Sequence, residues 1–168
     1  MSTLPDRSKN QLLACLPPAQ WERMQPLMEQ VSLPSGQALY ESDTPFRHVY
    51  FPLQGIVALH GLVENGDSSL MALVGKEGVV GVSSFMGGES TTTSHATVFS
   101  SGAFMRMRSA DFLHEFERSM PLLHLLLRYT QALITQMAQT SVCNRHHTVD
   151  NAFSRILLLC LDRSVGNE

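Results

Sequence analysis

The sequence predicts an α+β fold in which a small antiparallel β-roll is preceded by short helices and followed by one long helix. Two observations carry this. Between Gly36 and Val98, short strand-like runs are punctuated by Gly55, Gly61, Gly66, Gly75, Gly78, Gly81 and the pair Gly87-Gly88, as expected where strands turn or bulge often. From Pro121 to about Cys143 the pattern changes to a nearly unbroken helical one.

Composition limits what such a chain can do. The 168 residues are 43% hydrophobic and 16% charged, values of a folded globular protein. The net charge is −3, and besides Lys9 the only lysine is Lys76, so no basic face is expected to hold nucleic acid by itself. Cys15, Cys143 and Cys160 are far apart and odd in number, which suits reduced thiols. The N-terminus has no apolar leader, and the richest apolar run, Leu122 to Leu127, is too short to span a bilayer. These features predict a cytoplasmic protein without a membrane partner.

Element by element, residues 1–10 are polar and are expected to be loose. Asn10 to Leu16 predicts a short helix ending at Pro17-Pro18, and Pro18 opens a second helix through Trp21, Met24 and Leu27-Met28, which Pro26 kinks or ends. Val31 to Leu39 begins the β section. His48 to Pro52 and Ile56 to Val63 predict strands, with a hairpin turn at Glu64-Asn65-Gly66-Asp67 and a return over Ser69 to Val74. Val79 to Met86 reads equally as strand or short helix. After a polar loop over 89–94, His95 to Phe99 and Ala103 to Met107 predict two more strands. Ser109-Ala110-Asp111 is the expected N-cap of a helix carrying Phe112, Leu113 and Phe116. Along the long helix, Leu123, Leu126, Thr130, Leu133, Met137 and Thr140 form a heptad-like stripe suited to a second copy of the chain. A second stripe, Leu122, Leu125, Tyr129 and Ala132, is expected to pack on the roll. These spans give four regions: helices over 1–30, roll over 31–118, dimerisation helix over 119–146 and connector helix over 147–168.

Taken in order, five segments resemble the Crp/Fnr family of bacterial transcription regulators over about residues 12–163. They are Gly36-Gln37-Ala38-Leu39-Tyr40; His48-Val49-Tyr50-Phe51-Pro52 with Gly55-Ile56-Val57; Gly78-Val79-Val80-Gly81; His95-Ala96-Thr97-Val98; and Val149 to Leu158 with Asp162-Arg163. The resemblance implies a cyclic-nucleotide-binding-like β-roll (a double-stranded β-helix, or jelly roll), a homodimer joined through the long helix, and a DNA-binding domain reached through the connector. A winged helix-turn-helix would follow Ser164, and the chain ends at Glu168. DNA contact is therefore expected only through a domain absent from these residues. The fragment reading is favoured over a stand-alone sensor, because Ile156 to Leu161 is apolar with no covering partner foreseen.

The nucleotide-binding members of that family use a glutamate for the ribose hydroxyl and an arginine for the cyclic phosphate. The matching positions here are Val82 and Ser94. Each lost hydrogen bond to a charged group removes about 1.5–3 kcal/mol, which argues against tight cyclic AMP binding. No cofactor is expected and the effector stays unnamed. The candidate ligand residues are Gly81, Val82, Ser83, Ser84, Ser94, His95 and Thr97. They form either a residual anion site of helix N–H groups, hydroxyls and imidazole, or a hydroxyl-rich cap over an empty or apolar pocket.

Other chemistries find less support. Cys143, His146 and His147 supply three zinc ligands at most. His60 with Glu64 imitates part of a cupin metal site but lacks the second histidine of the pair. No catalytic constellation emerges from spacing, so neither a metal nor an enzyme activity is expected. A ligand-free dimerisation scaffold and, less so, a cupin-type metalloenzyme are the alternatives to an effector domain.

Overall fold

A computed structural model describes residues 6–42, 44–62, 68–86 and 94–164. The expected hairpin turn over 64–67, Gly87-Gly88 and most of the polar loop after them lie outside the described residues.

Of the stretch expected to be loose, residues 1–5 lie outside the described residues, and residues 6–10 are more ordered than their polarity suggests. Arg7–Lys9 forms a 3₁₀ turn, and Asn10 caps helix α1 (Gln11–Ala14) by accepting a hydrogen bond from the Leu13 N–H. Asn10 is fully buried because its Nδ2 donates to the carbonyls of Pro52 and Gly78 at 3.0 and 2.9 Å. Those bonds offset the cost of burying an amide. Helix α2 (Pro18–Met24) starts on Pro18, as expected, and gives way at Pro26 to a 3₁₀ turn over Gln25–Leu27. Strand β1 (Met28–Leu33) begins there, pairing Met28 with Met107. The roll thus starts inside the 1–30 stretch expected to be helical, since Pro26 halts the helix early enough for Met28 to join a sheet.

The remaining strands are β2 (Ala38–Tyr40), β3 (His48–Pro52), β4 (Ile56–Leu62), β5 (Ser68–Val74), β6 (Ser94–Ser100) and β7 (Gly102–Arg108). They form two antiparallel sheets with strand orders β1-β7-β3 and β2-β6-β4-β5. Side chains alternate across each strand. In the three-stranded sheet, Val49, Phe51, Met105 and Met107 face a helical layer with Leu13, Met24 and Phe112. Its other face, with Tyr50 and Phe104, meets Val57, Leu59, Ala72, Val74, Ala96 and Val98 of the four-stranded sheet to make the apolar interior of the roll.

Helix α3 (Ser109–Arg118) is capped differently from the expectation. Arg108 holds the N-cap position without a side-chain cap bond, and Ser109 lies inside the helix with its hydroxyl buried and unpartnered. Strand β7 runs to Arg108 and displaces the start by one residue. Within α3 the buried Glu115 accepts from Gln20 Nε2 at 2.9 Å and Arg23 Nε at 3.1 Å, tying α3 to α2. Burial pushes this carboxyl up, but the hydrogen bonds from Arg23 and Gln20 and the charges of Arg23 and Arg118 prevail and hold it below its ordinary value. A depressed folded-state pKa contributes stability above the unfolded value of about 4.3 that is lost as pH falls through the folded one. In acid melts below about pH 4.3, Glu115→Gln should therefore lose less stability than the parent chain; parallel losses would show that Glu115 does not drive the acid response.

Helix α4 (Met120–His146) begins at Ser119, whose hydroxyl accepts from the Leu122 N–H, as the change in pattern there predicted. It crosses the edge of the roll, with Leu122 and Leu126 in the helical layer's core and Leu133 in the interior of the roll. Helix α5 (Val149–Arg163) then folds back. Its Ile156, Leu159 and Cys160 cover the outer face of the four-stranded sheet at Ile56, Ala58 and Leu73. This corrects the expectation that Ile156 to Leu161 has no covering partner; the residues left open are Leu157, Leu158 and Leu161. Among the described residues, no helix is long and apolar enough to cross a membrane.

Candidate functional site: the mouth of the roll and its clamp

The turn Gly75-Lys76-Glu77-Gly78 links β5 to the mouth of the roll. It closes on itself through Gly78 N–H to the Gly75 carbonyl at 3.0 Å and Gly75 N–H to Glu77 Oε1 at 3.1 Å. Three other parts of the chain then hold it. From the N-terminus, Asn10 binds the Gly78 carbonyl, and the Gln11 N–H donates to the Lys76 carbonyl at 2.7 Å. From α4, the Tyr129 hydroxyl donates to the Val79 carbonyl at 3.0 Å while its ring lies on Gly78, where any Cβ would collide with it. Burial pushes this phenol far above its ordinary value, so it stays protonated and keeps donating. From α5, Arg163 packs over Gly75 and donates from Nε to Glu77 Oε1 at 2.7 Å. Gln136 joins the two helices to the roll, donating to the Leu73 carbonyl at 3.0 Å and accepting from Arg163 Nη2 at 3.3 Å.

Beyond the turn, Val80 exchanges two backbone hydrogen bonds with Tyr50. Gly81 follows with φ +105°, a backbone that L side chains rarely adopt. Val82–Ser84 is one 3₁₀ turn, which resolves the strand-or-helix ambiguity and removes the expected helix N-terminus. Too short to aim a row of N–H groups, it also consumes two donors: the Ser84 hydroxyl and N–H both point back to the Gly81 carbonyl, at 2.7 and 3.0 Å.

The remaining expected ligand residues separate onto two faces. Ala96 and Val98 point into the interior of the roll, so His95 and Thr97, alternating with them, lie on the outer face. There His95 stacks on the cross-strand His60, with ring centroids 4.8 Å apart and planes 6° from parallel. The Thr97 hydroxyl meets His60 Nε2 at 3.4 Å. Burial and then the neighbouring His95 hold His60 below its ordinary pKa. His95 and Thr97 are therefore removed from the candidate pocket; strand alternation from Ala96 dictates it. Ser94 lies on the inner side, hydrogen-bonded to Tyr40, whose phenol is pushed up by burial. Ser83 is half-buried, and Val82 packs against the apolar cores. At the mouth, the interior offers Val82, Leu133, Met137 and Tyr129 where a charged ligand would want cations. Among the described residues, no group of three or more His, Cys, Asp or Glu side chains is placed to hold a metal ion.

The expected dimer stripe is also re-sorted. Leu126, Thr130, Leu133 and Thr140 are only 1%, 5%, 8% and 5% exposed in a single chain, while Leu123 and Met137 are half-buried. Four of the six are thus buried within the chain itself, Leu126 and Leu133 in its apolar cores and Thr140 beside Arg155 of α5, and are not free for a partner. The open apolar residues of α4 are Met120, Leu127, Ile134 and Val142, 61%, 48%, 51% and 51% exposed. The first three repeat every seven residues. Of the stripe expected on the roll, Leu122 is buried and Leu125 and Tyr129 pack there, but Ala132 is exposed.

Among the clamp residues, Glu77 and Gln136 are named by no sequence pattern, and Asn10 and Arg163 entered only as a helix start and as part of a family-resembling segment. The only local signal was a charged pair, Lys76-Glu77, held between two glycines.

The cyclic nucleotide-binding domain family matches residues 30–119. No curated protein matches the chain by sequence. Among solved structures, the sensor domain of the transcriptional regulator DNR from Pseudomonas aeruginosa is similar at 17% identity, over 81% of this chain and 94% of that one, with a TM-score of 0.59. FixK2 from Bradyrhizobium japonicum is similar at 14% identity, over 83% and 69% of the two chains, with a TM-score of 0.68. The c-di-GMP-responsive global regulator CLP of Xanthomonas campestris reaches the same TM-score at 12% identity, over 83% and 70%.

Proposed function

We propose that this chain, which belongs to the cyclic nucleotide-binding domain family, is the effector-sensing and dimerisation domain of a Crp/Fnr-type transcription regulator and has no catalytic activity of its own. DNA contact would lie in a separate domain approached through α5. The effector would be uncharged or largely apolar, because the positions matching the family's charged contacts are Val82 and Ser94 and the facing helix offers Leu133 and Met137.

The observation that carries this reading is the clamp on Gly75–Gly78. The turn leading into the mouth of the roll is bonded to α4 through Tyr129 and to α5 through Arg163. A ligand that favours one arrangement of the mouth therefore biases both helices, and differential affinity for two arrangements is all that a population shift needs. The apolar face of α4 at Met120, Leu127 and Ile134 would seat a second copy of the chain.

Hydrogen exchange tests the coupling. Glu77→Ala leaves Arg163, only 8% exposed, without its carboxylate, at a cost of about 1.5–3 kcal/mol. Amides of α5 should then exchange about tenfold faster or more, although the substitution lies on the roll. Unchanged protection in α5 would sever the proposed route from mouth to connector. A ligand-free scaffold is the second reading, and the exposed apolar α4 face supports it equally; a metabolite that stabilises the chain would exclude it.

A further inference from the structure

A second cleft lies between β2 and β3 and shares Tyr50 with the wall of the roll's interior. It encloses about 410 Å³ and is lined by Tyr40, Glu41, Thr44, Arg47, His48 and Tyr50 among others. Strand register extends its chemistry onto the neighbouring strand: His48 pairs with Arg108, and Tyr50 with Arg106, so these side chains share one face. The His48 and Tyr50 rings sit 6.1 Å apart. Three of the chain's ten arginines thus converge here, in a protein of net charge −3. Arg106 is committed to Glu29 through Nη2 at 2.7 Å. Among the described residues, Arg47 and Arg108 have no carboxylate partner.

We propose that this cleft binds a small organic oxyanion, a phosphate monoester or a carboxylate, between the Arg47 and Arg108 guanidiniums, with His48 as a third, pH-dependent contact. A guanidinium with no carboxylate partner among the described residues presents a fork of donors matched to an oxyanion, and Tyr40 and Tyr50 provide aromatic walls for the organic part of the ligand. Glu41 on the wall and Glu29 across from Arg106 oppose anions, so among the described residues of the cleft and the adjoining strands three guanidiniums stand against two carboxylates. This balance suits a small ligand held at one end better than a polyanion. His48 is poised to respond: burial, then Arg106, Arg108 and Arg47, lower its pKa against the opposing pull of Glu29. An anion seated beside it relieves that repulsion, so the imidazole should take up a proton as the anion binds.

The test uses two probes, sulfate as the tetrahedral oxyanion and succinate as the carboxylate. Each is compared with chloride at equal ionic strength to remove general screening. The His48 ring signal is followed by NMR across pH. Either probe should raise the His48 midpoint, and its affinity should fall about tenfold or more in Arg47→Gln and in Arg108→Gln. Both positions lie at the surface, and unchanged melting temperatures would show that the variants fold. A response to sulfate alone assigns the site to phosphate monoesters, and one to succinate alone to carboxylates. An unmoved His48 midpoint with both probes, or an affinity indifferent to both substitutions, overturns the proposal.

Discussion

Leu133→Asp is expected to unfold the chain. Leu133 is 8% exposed and packs among Leu59, Val74, Phe104 and their neighbours inside the roll. Removing a buried leucine costs about 2–5 kcal/mol, and placing a carboxylate there adds several more unless it stays protonated. The sum rivals the whole stability of a domain of this size, about 5–15 kcal/mol. Urea unfolding followed by circular dichroism should show loss of the cooperative transition or a midpoint far below the parent's. A parent-like midpoint would mean that Leu133 does not pack into the roll as described. From heptad spacing alone, the same substitution would be expected to give folded monomers, so the experiment separates the two placements of the stripe.

The second large effect belongs to the opposite face of α4. Leu127 and Ile134 lie one heptad apart and half open to solvent, as a helix–helix seam requires. Burying each against a second copy would contribute about 1.5–3 kcal/mol; aspartate at both positions forfeits that and places like charges along the seam. Leu127→Asp combined with Ile134→Asp should convert a dimeric parent to monomers in sedimentation experiments, with the dissociation constant raised by two orders of magnitude or more, while thermal unfolding stays cooperative. A doubly substituted chain that still sediments as a dimer would move the interface away from this face.

The contrast between these variants shows what spacing conveys and what it leaves open. Strand β3 was legible residue for residue over His48–Pro52, because an apolar run closed by proline has few alternatives. The start of α4 near Ser119 was legible from the change of period, though its capping hydroxyl was not picked out. Which face of α4 meets which partner was not legible: Leu126 and Leu133 repeat at seven residues, and so do Leu127 and Ile134. Periodicity reports that a stripe exists, whereas tertiary packing decides what covers it. The candidate ligand residues divided for a related reason. Ser94, His95 and Thr97 are neighbours in sequence, but strand alternation sends His95 and Thr97 outward and leaves Ser94 within. The clamp was hidden more deeply, since Asn10, Glu77, Tyr129 and Arg163 meet only after folding, and nothing in the spacing of four scattered polar residues announces a shared turn.

The most direct measurement is thermal unfolding of the chain in the presence of cyclic AMP, cyclic GMP and cyclic di-GMP. With Val82 and Ser94 at the positions where related domains hold a charged pair, none of the three should shift the transition. A ligand at a hundredfold its dissociation constant would add about 2.7 kcal/mol of stability, a shift readily seen. Such a shift with any of them would show that the roll binds nucleotides without that pair and would contradict the assignment of an uncharged or apolar effector.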